Sequence, residues 1–170
     1  MMRILETKRL LLREFTQDDA PFILELVNDP AWLQFIGDRN VHTLAEAKSY
    51  LQTGPIDSYH RFGFGLYLVQ LQADDVPIGM CGLIKRPSLP DVDIGFAFLP
   101  QYTGKGYAFE AATAVLTYAK TKLKLKRIVA ITAVNNDRSI KLLEKLGFHY
   151  EKMVQLSDDG EALKLFVSDT

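Results

Sequence analysis

The sequence predicts a mixed α/β fold in which helices are interspersed among the strands of one sheet. Two observations predict this class. Segments rich in β-branched and aromatic residues alternate with short polar turns, which is typical of strands, and other segments repeat their apolar residues at helical spacing. The elements follow the order β-α-α-β-β-β-α-β-α-β-β along the chain. No internal repeat or linker-like stretch interrupts this order, so we expect residues 1–170 to form one domain.

The first two elements are predicted to be a strand and a helix. Residues 8–15 are rich in leucine and lead into a turn-like TQDD segment. Asp18 or Asp19 can then cap a helix, because a carboxylate at this position accepts hydrogen bonds from the first N–H groups of the helix. Pro30 is expected to end that helix, since proline disfavours helical conformation in the residue before it.

A second helix and a hairpin follow. Thr43 and Glu46 form a capping-box pattern at the start of the helix, and Gly54-Pro55 is expected to end it. Residues 62–72 and 76–86 are apolar and rich in β-branched and aromatic side chains, with a short polar link between them. This pattern predicts an antiparallel pair of strands.

The second half of the chain predicts alternating strands and helices before a closing hairpin. Apolar residues between Gly106 and Leu123 repeat at helical spacing, and residues 127–134 resemble a strand buried on both faces. The remaining predicted elements are a strand at 91–100, a helix at 138–146 ending at Gly147, and a hairpin with its turn at Ser157-Asp158-Asp159-Gly160.

Composition excludes several classes of partner and compartment. The formal net charge is -1, so no overall basic field favours nucleic acid or an anionic membrane. No segment approaches the roughly 20 apolar residues that a membrane span needs. Cys81 is the single cysteine, which rules out an intrachain disulfide and favours the cytoplasm. The three histidines are far apart, so we expect no metal site.

Residues 101–108, QYTGKGYA, lie where a strand is predicted to give way to a helix. A Walker A loop is excluded, because Lys105 is followed by Gly106 and no paired glycine lies upstream. A dinucleotide fingerprint is excluded because Phe109 occupies the position of its third glycine. Two interpretations remain, a tight turn that uses glycine for positive φ, and a pyrophosphate site on the free N–H groups at the helix start.

The spacing Gln101-x-x-Gly104-x-Gly106 resembles the signature of the GNAT superfamily of acyl-CoA-dependent N-acetyltransferases. Asn136-x-x-Ser139 and the segment at 143–148, LEKLGF, are similar to a second hallmark of that superfamily. The opening ETKRLLLREF resembles the branch of ribosomal-protein-alanine N-acetyltransferases, the RimJ/RimL type. The three motifs occur in the expected order, and the resemblance extends over the whole chain.

The resemblance implies a mostly antiparallel sheet, split between its fourth and fifth strands and flanked by about four helices, which binds acetyl-CoA in the split. It implies that the pantetheine arm pairs with the fourth strand and that the pyrophosphate lies on the glycine turn, with further contacts from the other side. The cofactor-binding residues implied in this way are Ala97, Phe98, Leu99, Gln101, Thr103, Gly104, Lys105, Gly106, Tyr107, Ala108, Asn136 and Ser139.

The implied reaction is direct attack of an amine on the thioester, with a base that removes a proton from the amine. Asp93 is the candidate base, acting through a bridging water; the alternative is a polar residue that begins a strand. Leu143 occupies the position where many relatives have a tyrosine that acts as the general acid. Ser139 or solvent is therefore left to protonate the thiolate. Ser139 can equally make a local helix hydrogen bond.

The resemblance therefore predicts an N-acetyltransferase that uses acetyl-CoA and acts on a primary amine, either a protein N-terminus or a small molecule such as a polyamine or an amino acid. Trp32 and Phe35 are candidates to line the acceptor pocket, although they can equally pack the preceding helix. Transfer of a bulkier acyl group and a catalytically silent acyl-CoA-binding module are the alternatives. The sequence does not predict the oligomeric state.

Overall fold

The computed structural model describes residues 2–169, which form an eight-stranded sheet with helices on both faces. The strand order is β1-β2-β3-β4-β5-β6-β8-β7, and β5 and β6 are parallel while the other neighbouring pairs are antiparallel. The strands are β1 (Arg3–Glu6), β2 (Leu10–Arg13), β3 (Leu66–Leu71), β4 (Pro77–Ile84), β5 (Val92–Phe98), β6 (Arg127–Ala133), β7 (His149–Val154) and β8 (Leu163–Asp169). The α-helices are α1 (Ala20–Leu26), α2 (Pro30–Phe35), α3 (Leu44–Leu51), α4 (Asp57–Phe62), α5 (Tyr107–Thr121) and α6 (Asp137–Lys145).

The mixed α/β class and the mostly antiparallel sheet predicted from the sequence are confirmed, with differences near the N-terminus. The strand expected at residues 8–15 is present as β2, and an additional strand, β1, forms a hairpin with it, in which the Thr7 N–H donates to the Leu10 carbonyl at 2.9 Å. Pro30 begins α2 in addition to following α1, because the Asp29 carboxylate caps the N–H of Ala31. Short helices of this kind have too few apolar repeats to be detected by periodicity.

The α-helix α3 ends at Leu51, but the expectation that Gly54-Pro55 ends the helical segment is wrong. The chain continues from α3 through a π-helical turn at Gln52–Ile56 into α4. The N–H of Asp57 donates to the Gln52 carbonyl across this wider turn. The wider spacing accommodates Pro55, which has no N–H and whose ring would collide with a carbonyl in a regular α-helix.

Two apolar clusters cover the two faces of the sheet. On one face α5 packs its small residues Ala111, Ala112 and Val115 against the strands. On the other face α1, α2 and α3 pack around Leu68 and Met80. Because side chains alternate between faces along a strand, successive residues of β5 point to α5 and to the α1–α3 layer in turn.

The sheet separates between β5 and β6. Their parallel pairing is confined to Val92 with Ile128 and Asp93 with Val129, whereas β6 pairs with β8 along its whole length. Among residues 2–169, no strand pairs with the inner edge of β5 beyond Asp93. The split that was expected between the fourth and fifth strands is therefore present, as the gap between β5 and β6 in the numbering used here.

Candidate active site

A cleft of about 490 Å³ opens where β5 and β6 separate. Residues 94–97 of β5 line one wall, residues 130–133 of β6 line the other, and α2, α6 and the segment around α4 complete it. Six of the eight site residues expected outside the glycine turn border this one space. They are Trp32, Phe35, Asp93, Ala97, Asn136 and Ser139.

Asp93 lies at the narrow end of the cleft, where the parallel pairing ends. Its side chain is 1% exposed and is held by Arg86, whose Nε donates to Oδ1 at 2.9 Å and whose Nη2 donates to Oδ2 at 3.3 Å. Burial raises the pKa of the Asp93 carboxyl above its ordinary value, and the Arg86 guanidinium opposes the rise. This arrangement gives a desolvated carboxylate fixed in one orientation.

Asp93 shares a sheet face with the residues that pack under α1–α3. It is opposite Ile84 in the β4–β5 ladder, and Ala97 on the same face of β5 is opposite Met80. Gly95 lies between them, where an added Cβ would approach the Ile84 Cδ1 to 3.1 Å. The carboxylate therefore faces the α1–α3 layer of the cleft and not α5.

The backbone of β5 presents alternate residues to the gap. The Leu99 N–H donates to the Ile78 carbonyl at 2.9 Å, so Leu99 is bonded to β4. The β4–β5 ladder has no register shift, and therefore Ala97 is also bonded to β4, while Phe96 and Phe98 direct their N–H and C=O groups to the β6 side. Of the three β5 residues expected to hold a ligand by their backbone, Phe98 has free groups on the cleft side.

The N-cap and one face of α6 border the cleft on the side opposite β5, through Asn136, Ser139 and Leu143. The Asn136 Oδ1 caps the helix by accepting the Ser139 N–H at 3.3 Å. Residues 136, 139 and 143 lie on one stripe because of their spacing. Leu143 is buried and borders the cleft, so no phenol occupies that place. Within residues 2–169 the Ser139 hydroxyl makes no hydrogen bond, which leaves it available to a ligand.

The glycine turn connects β5 to α5 as the sequence predicts. Gly104 and Gly106 have φ of 76° and 84°, values that L side chains adopt only with strain. Gly106 is the N-cap of α5 and supplies no side-chain acceptor, so the first N–H groups of this 15-residue helix have no side-chain cap. The other expected residues of the turn are Gln101 in a 3₁₀ turn, Thr103 bonded to the Pro100 carbonyl, Lys105, Tyr107 and Ala108.

Arg9 braces this turn, and sequence reasoning missed it. Its Nη1 donates to the Lys105 carbonyl at 3.1 Å, its Nε donates to Glu110 of α5 at 2.7 Å, and its guanidinium lies 4.3 Å from the centre of the Tyr107 ring. These contacts span about a hundred residues of sequence. No local pattern could reveal them, because they depend on how the β1–β2 hairpin packs beside α5.

The outer part of the cleft carries aromatic and basic side chains. Trp32 is buried, and its indole N–H has no acceptor among residues 2–169. Phe35 is half-buried beside it. Arg39, Tyr50 and Arg86 line this part of the cleft. Burial raises the pKa of the Tyr50 phenol, and the charges of Arg39 and Arg86 oppose that rise. Within residues 2–169, Arg39 forms no hydrogen bond or ion pair.

Of the residues missed at the sequence level, Arg86 alone has a sequence signal. The predicted strands at 76–86 and 91–100 are joined by a short turn, which places the end of one beside the start of the other. A guanidinium at 86 and a carboxylate at 93 are then suitable partners. Tyr50 and Arg39 belong to the α2–α3 region, where no spacing rule relates them to Asp93.

Two further features bear on the class of site. Within residues 2–169, no group of three or more His, Cys, Asp or Glu side chains is arranged to hold a metal ion. Over the same range, none of the helices has the length and apolar character that a membrane crossing requires.

Comparisons with known proteins agree on one family. The model described as "Acetyltransferase (GNAT) domain" matches residues 9–149. An N-acetyltransferase of Bacillus subtilis, YnaD, is 33% identical over 145 residues, 85% of this chain and 82% of that protein. The ribosomal protein uS5-alanine N-acetyltransferase of Escherichia coli is 32% identical over 58% of this chain and 52% of its own. The ribosomal L7/L12 acetyltransferase RimL in complex with coenzyme A has the same fold, with a TM-score of 0.83 at 20% identity over 98% of this chain and 97% of its own.

Proposed function

Since this chain belongs to the GNAT family of N-acetyltransferases, we propose that it transfers an acetyl group from acetyl-CoA to a primary amine in a ternary complex. The observation that carries the proposal is the cleft at the β5–β6 split, which joins a buried carboxylate, an unpaired strand edge and the Asn136–Ser139 helix end. We propose further that residues 1–170 form a single N-acetyltransferase domain that works in the cytoplasm.

The acetyl-CoA site follows the split and the glycine turn. The free backbone groups of Phe96 and Phe98 suit the amides of the pantetheine arm. The uncapped start of α5 suits the pyrophosphate, because unpaired N–H groups and the helix dipole favour an anion there. Asn136 and Ser139 contact the arm from the α6 side. These assignments keep Phe98, the glycine turn, Asn136 and Ser139 from the residues expected from the sequence and add Phe96, whereas the backbone groups of Ala97 and Leu99 are bonded to β4.

In the proposed reaction the amine nitrogen attacks the thioester carbonyl carbon. A C–N bond forms, the C–S bond breaks, and coenzyme A leaves as a thiolate. Asp93 removes the ammonium proton through a water, since an amine with a pKa near ~10 is mostly protonated at neutral pH. The nitrogen loses its second proton as the C–S bond breaks, and the Ser139 hydroxyl relays this proton to the thiolate, because Leu143 has no proton to give. Proton exchange with solvent is the alternative route.

The acceptor is proposed to be a protein N-terminus or a small molecule with a primary amine. The relative named as a uS5-alanine N-acetyltransferase supports the first class. Trp32 and Phe35 border the cleft on the side that Asp93 faces, and we propose that they contact the acceptor. Transfer of a bulkier acyl group from its CoA thioester is a second candidate.

Release of free thiol from acetyl-CoA, measured over a panel of amines with and without the enzyme, tests the function. We expect amine-dependent thiol release together with an acetylated product of the matching mass. Binding without turnover of any amine would identify a silent acyl-CoA-binding module. Faster turnover with a longer acyl-CoA would identify the bulkier group, and the absence of any thermal stabilisation by acetyl-CoA would refute the whole assignment.

Replacing Gly106 by alanine is expected to raise the Kd for acetyl-CoA about tenfold, a change of about 1.4 kcal/mol. A Cβ at φ of 84° is strained by about 1–3 kcal/mol, and it would lie 3.3 Å from the Arg9 Nη2. Without a ligand, the turn of the variant can relax to a less strained conformation. Binding of acetyl-CoA must then bring back the strained conformation, which lowers the affinity. Isothermal titration with acetyl-CoA measures the effect.

Gly147→Ala is the matched control, because Gly147 also has positive φ but lies at the far end of α6 with nothing near its added Cβ. It should lower stability and keep the affinity for acetyl-CoA. Equal loss of affinity in both variants would show that Gly106 affects binding only through general stability.

A further inference from the structure

The basic side chains of the cleft are more numerous than its carboxylates, although the whole chain has a net charge of -1. Arg39, Arg61, Lys85 and Arg86 line the cleft together with Asp57 and Asp93. A concentration of one sign in a cleft attracts ligands of the opposite sign. Which of these charges are available to a ligand depends on the partners that each already has.

Two of the four cations are neutralised within the cleft. Arg86 is paired with Asp93 through two hydrogen bonds. Arg61 is 3.4 Å from Asp57. Each carboxylate is therefore already matched to one arginine.

The other two cations keep their charge uncompensated by any carboxylate of the cleft. The Lys85 Nζ donates to the carbonyls of Leu89 and Pro90, which are neutral groups that fix the turn after β4. Among residues 2–169 Arg39 has neither an ion pair nor a hydrogen bond, so its five donors are available. Arg39 is the group best suited to bind an anion.

The phosphates of acetyl-CoA are too far away to be that anion. Arg39 acts on Tyr50, as does Arg86, which holds Asp93 at the start of β5. The glycine turn begins after Phe98 at the other end of the strand. Five residues of extended strand span roughly 16 Å, so the start of α5 and the Arg39 region lie at opposite ends of the cleft.

A second unpaired group belongs to a residue that lines the same cleft. Trp32 is 5% exposed, and its buried indole N–H has no acceptor among residues 2–169. A buried donor without an acceptor is unfavourable. An acceptor atom on a ligand would satisfy it, and a carboxylate has oxygen atoms enough to accept from both this N–H and a guanidinium.

We infer that the amine acceptor carries a carboxylate close to its amine, and that Arg39, together with the Trp32 N–H, determines this specificity. The inference rests on the proposed function. It favours amino-acid-like acceptors or peptides with an acidic residue next to a free N-terminus. It disfavours polyamines, whose second ammonium would face the uncompensated charge of Arg39.

Isosteric acceptor pairs test the inference. One pair is 4-aminobutyrate against 1,4-diaminobutane, and the other is a C-terminally amidated peptide beginning Ala-Asp against the same peptide beginning Ala-Asn. We expect the acidic member of at least one pair to have a kcat/KM about tenfold higher or more, as a charge-assisted hydrogen bond provides. Discrimination in the first pair alone indicates a small-molecule acceptor, and in the second alone a protein N-terminus.

Variants of Arg39 assign the effect to this side chain. Arg39→Gln should raise KM for the acidic acceptors about tenfold and leave their kcat nearly unchanged. The kcat/KM for the neutral peptide should stay nearly the same, so the discrimination is lost. Arg39→Lys should retain part of the discrimination. Arg3→Gln, which removes an exposed arginine on β1, is the matched control and should change nothing. Thermal stabilisation by acetyl-CoA in each variant verifies that it is folded.

The inference is overturned if diaminobutane and the neutral peptide are acetylated as well as or better than their acidic partners, or if Arg39→Gln slows both members of a pair equally. Either result leaves the proposed function intact. If no amine in the panel is acetylated while acetyl-CoA still binds, the proposed function fails and the inference fails with it.

Discussion

Replacing Asp93 by asparagine is expected to lower kcat/KM at neutral pH by about 10²- to 10⁴-fold, the usual contribution of a general base. Asparagine has the size of aspartate and keeps an oxygen for Arg86, but it cannot accept the proton of the amine. Binding of acetyl-CoA should remain within about twofold of the unmodified enzyme, because Asp93 lies at the end of the cleft away from the glycine turn. Steady-state kinetics with the best amine of the panel, together with titration of acetyl-CoA, measure both quantities.

The pH dependence separates a base from a structural carboxylate. Burial raises the pKa of Asp93 above the ordinary 3.8, so kcat/KM should fall as pH decreases through a value above 3.8. Arg86 opposes that rise, and therefore Arg86→Gln should move the acidic limb to still higher pH. Asp93→Asn should abolish the limb.

Asp91→Asn is the matched control for this prediction. Asp91 is two residues upstream and pairs with Arg127 at 3.0 Å, outside the residues that line the cleft. Its removal should leave both the rate and the pH profile nearly unchanged. If Asp93→Asn behaves like Asp91→Asn, then Asp93 only begins the strand and orients Arg86, and another group or solvent takes the proton.

Replacing Arg13 by methionine is expected to lower the free energy of unfolding by about 3–5 kcal/mol, the typical result of breaking a buried ion pair. Arg13 is buried between β2 and α1, where Nη1 and Nη2 donate to the two oxygens of Asp19 at 2.9 and 2.8 Å and Nε donates to Gln70 at 2.9 Å. Without Arg13, the carboxylate of Asp19 stays buried without its cation. Urea denaturation followed by circular dichroism measures the loss.

Two variants show whether the effect comes from the uncompensated charge. Adding Asp19→Asn to Arg13→Met should recover part of the stability, since the neutral amide is less costly to bury and still accepts the N–H of Thr16. Arg3→Gln breaks an exposed pair with Glu6 and should change stability by no more than about 1 kcal/mol. A loss below about 1 kcal/mol for Arg13→Met would contradict the prediction.

Where local sequence patterns carry the information, the local conformation of the chain was predicted well. The capping residue Thr43, the positive-φ glycines of the turn and the stripe from Asn136 to Leu143 are properties of a few consecutive residues. Their geometry follows from short-range sterics and hydrogen bonds, which any fold must obey. Asp93 was likewise placed correctly at the start of a strand, although its catalytic role stays a prediction.

Where the information is non-local, prediction failed. The π-helical turn at Gln52–Ile56 overrides the stop signal of Gly54-Pro55. Tertiary contacts hold the chain on both sides of it, Leu51 in the α1–α3 cluster and Tyr59 stacked on Tyr67 of β3. Arg9 reaches the glycine turn only because β2 lies beside α5 in space. Packing energies of this kind can exceed a local propensity of a few kcal/mol at most.

The sequence by itself determined the element order from β3 onward, the family and the residues on which acetyl-CoA is proposed to lie, because the motifs for these are contiguous and backbone-based. Only the tertiary structure decided that Asp93 is desolvated in the cleft, that Leu99 is bonded to β4 while Phe96 and Phe98 face the split, and that among residues 2–169 Arg39 has neither an ion pair nor a hydrogen bond. The physical reason is that desolvation and charge compensation are sums over neighbours from distant segments. These neighbours are brought together when α1–α4 pack on the sheet, and the proposed acceptor specificity is decided there.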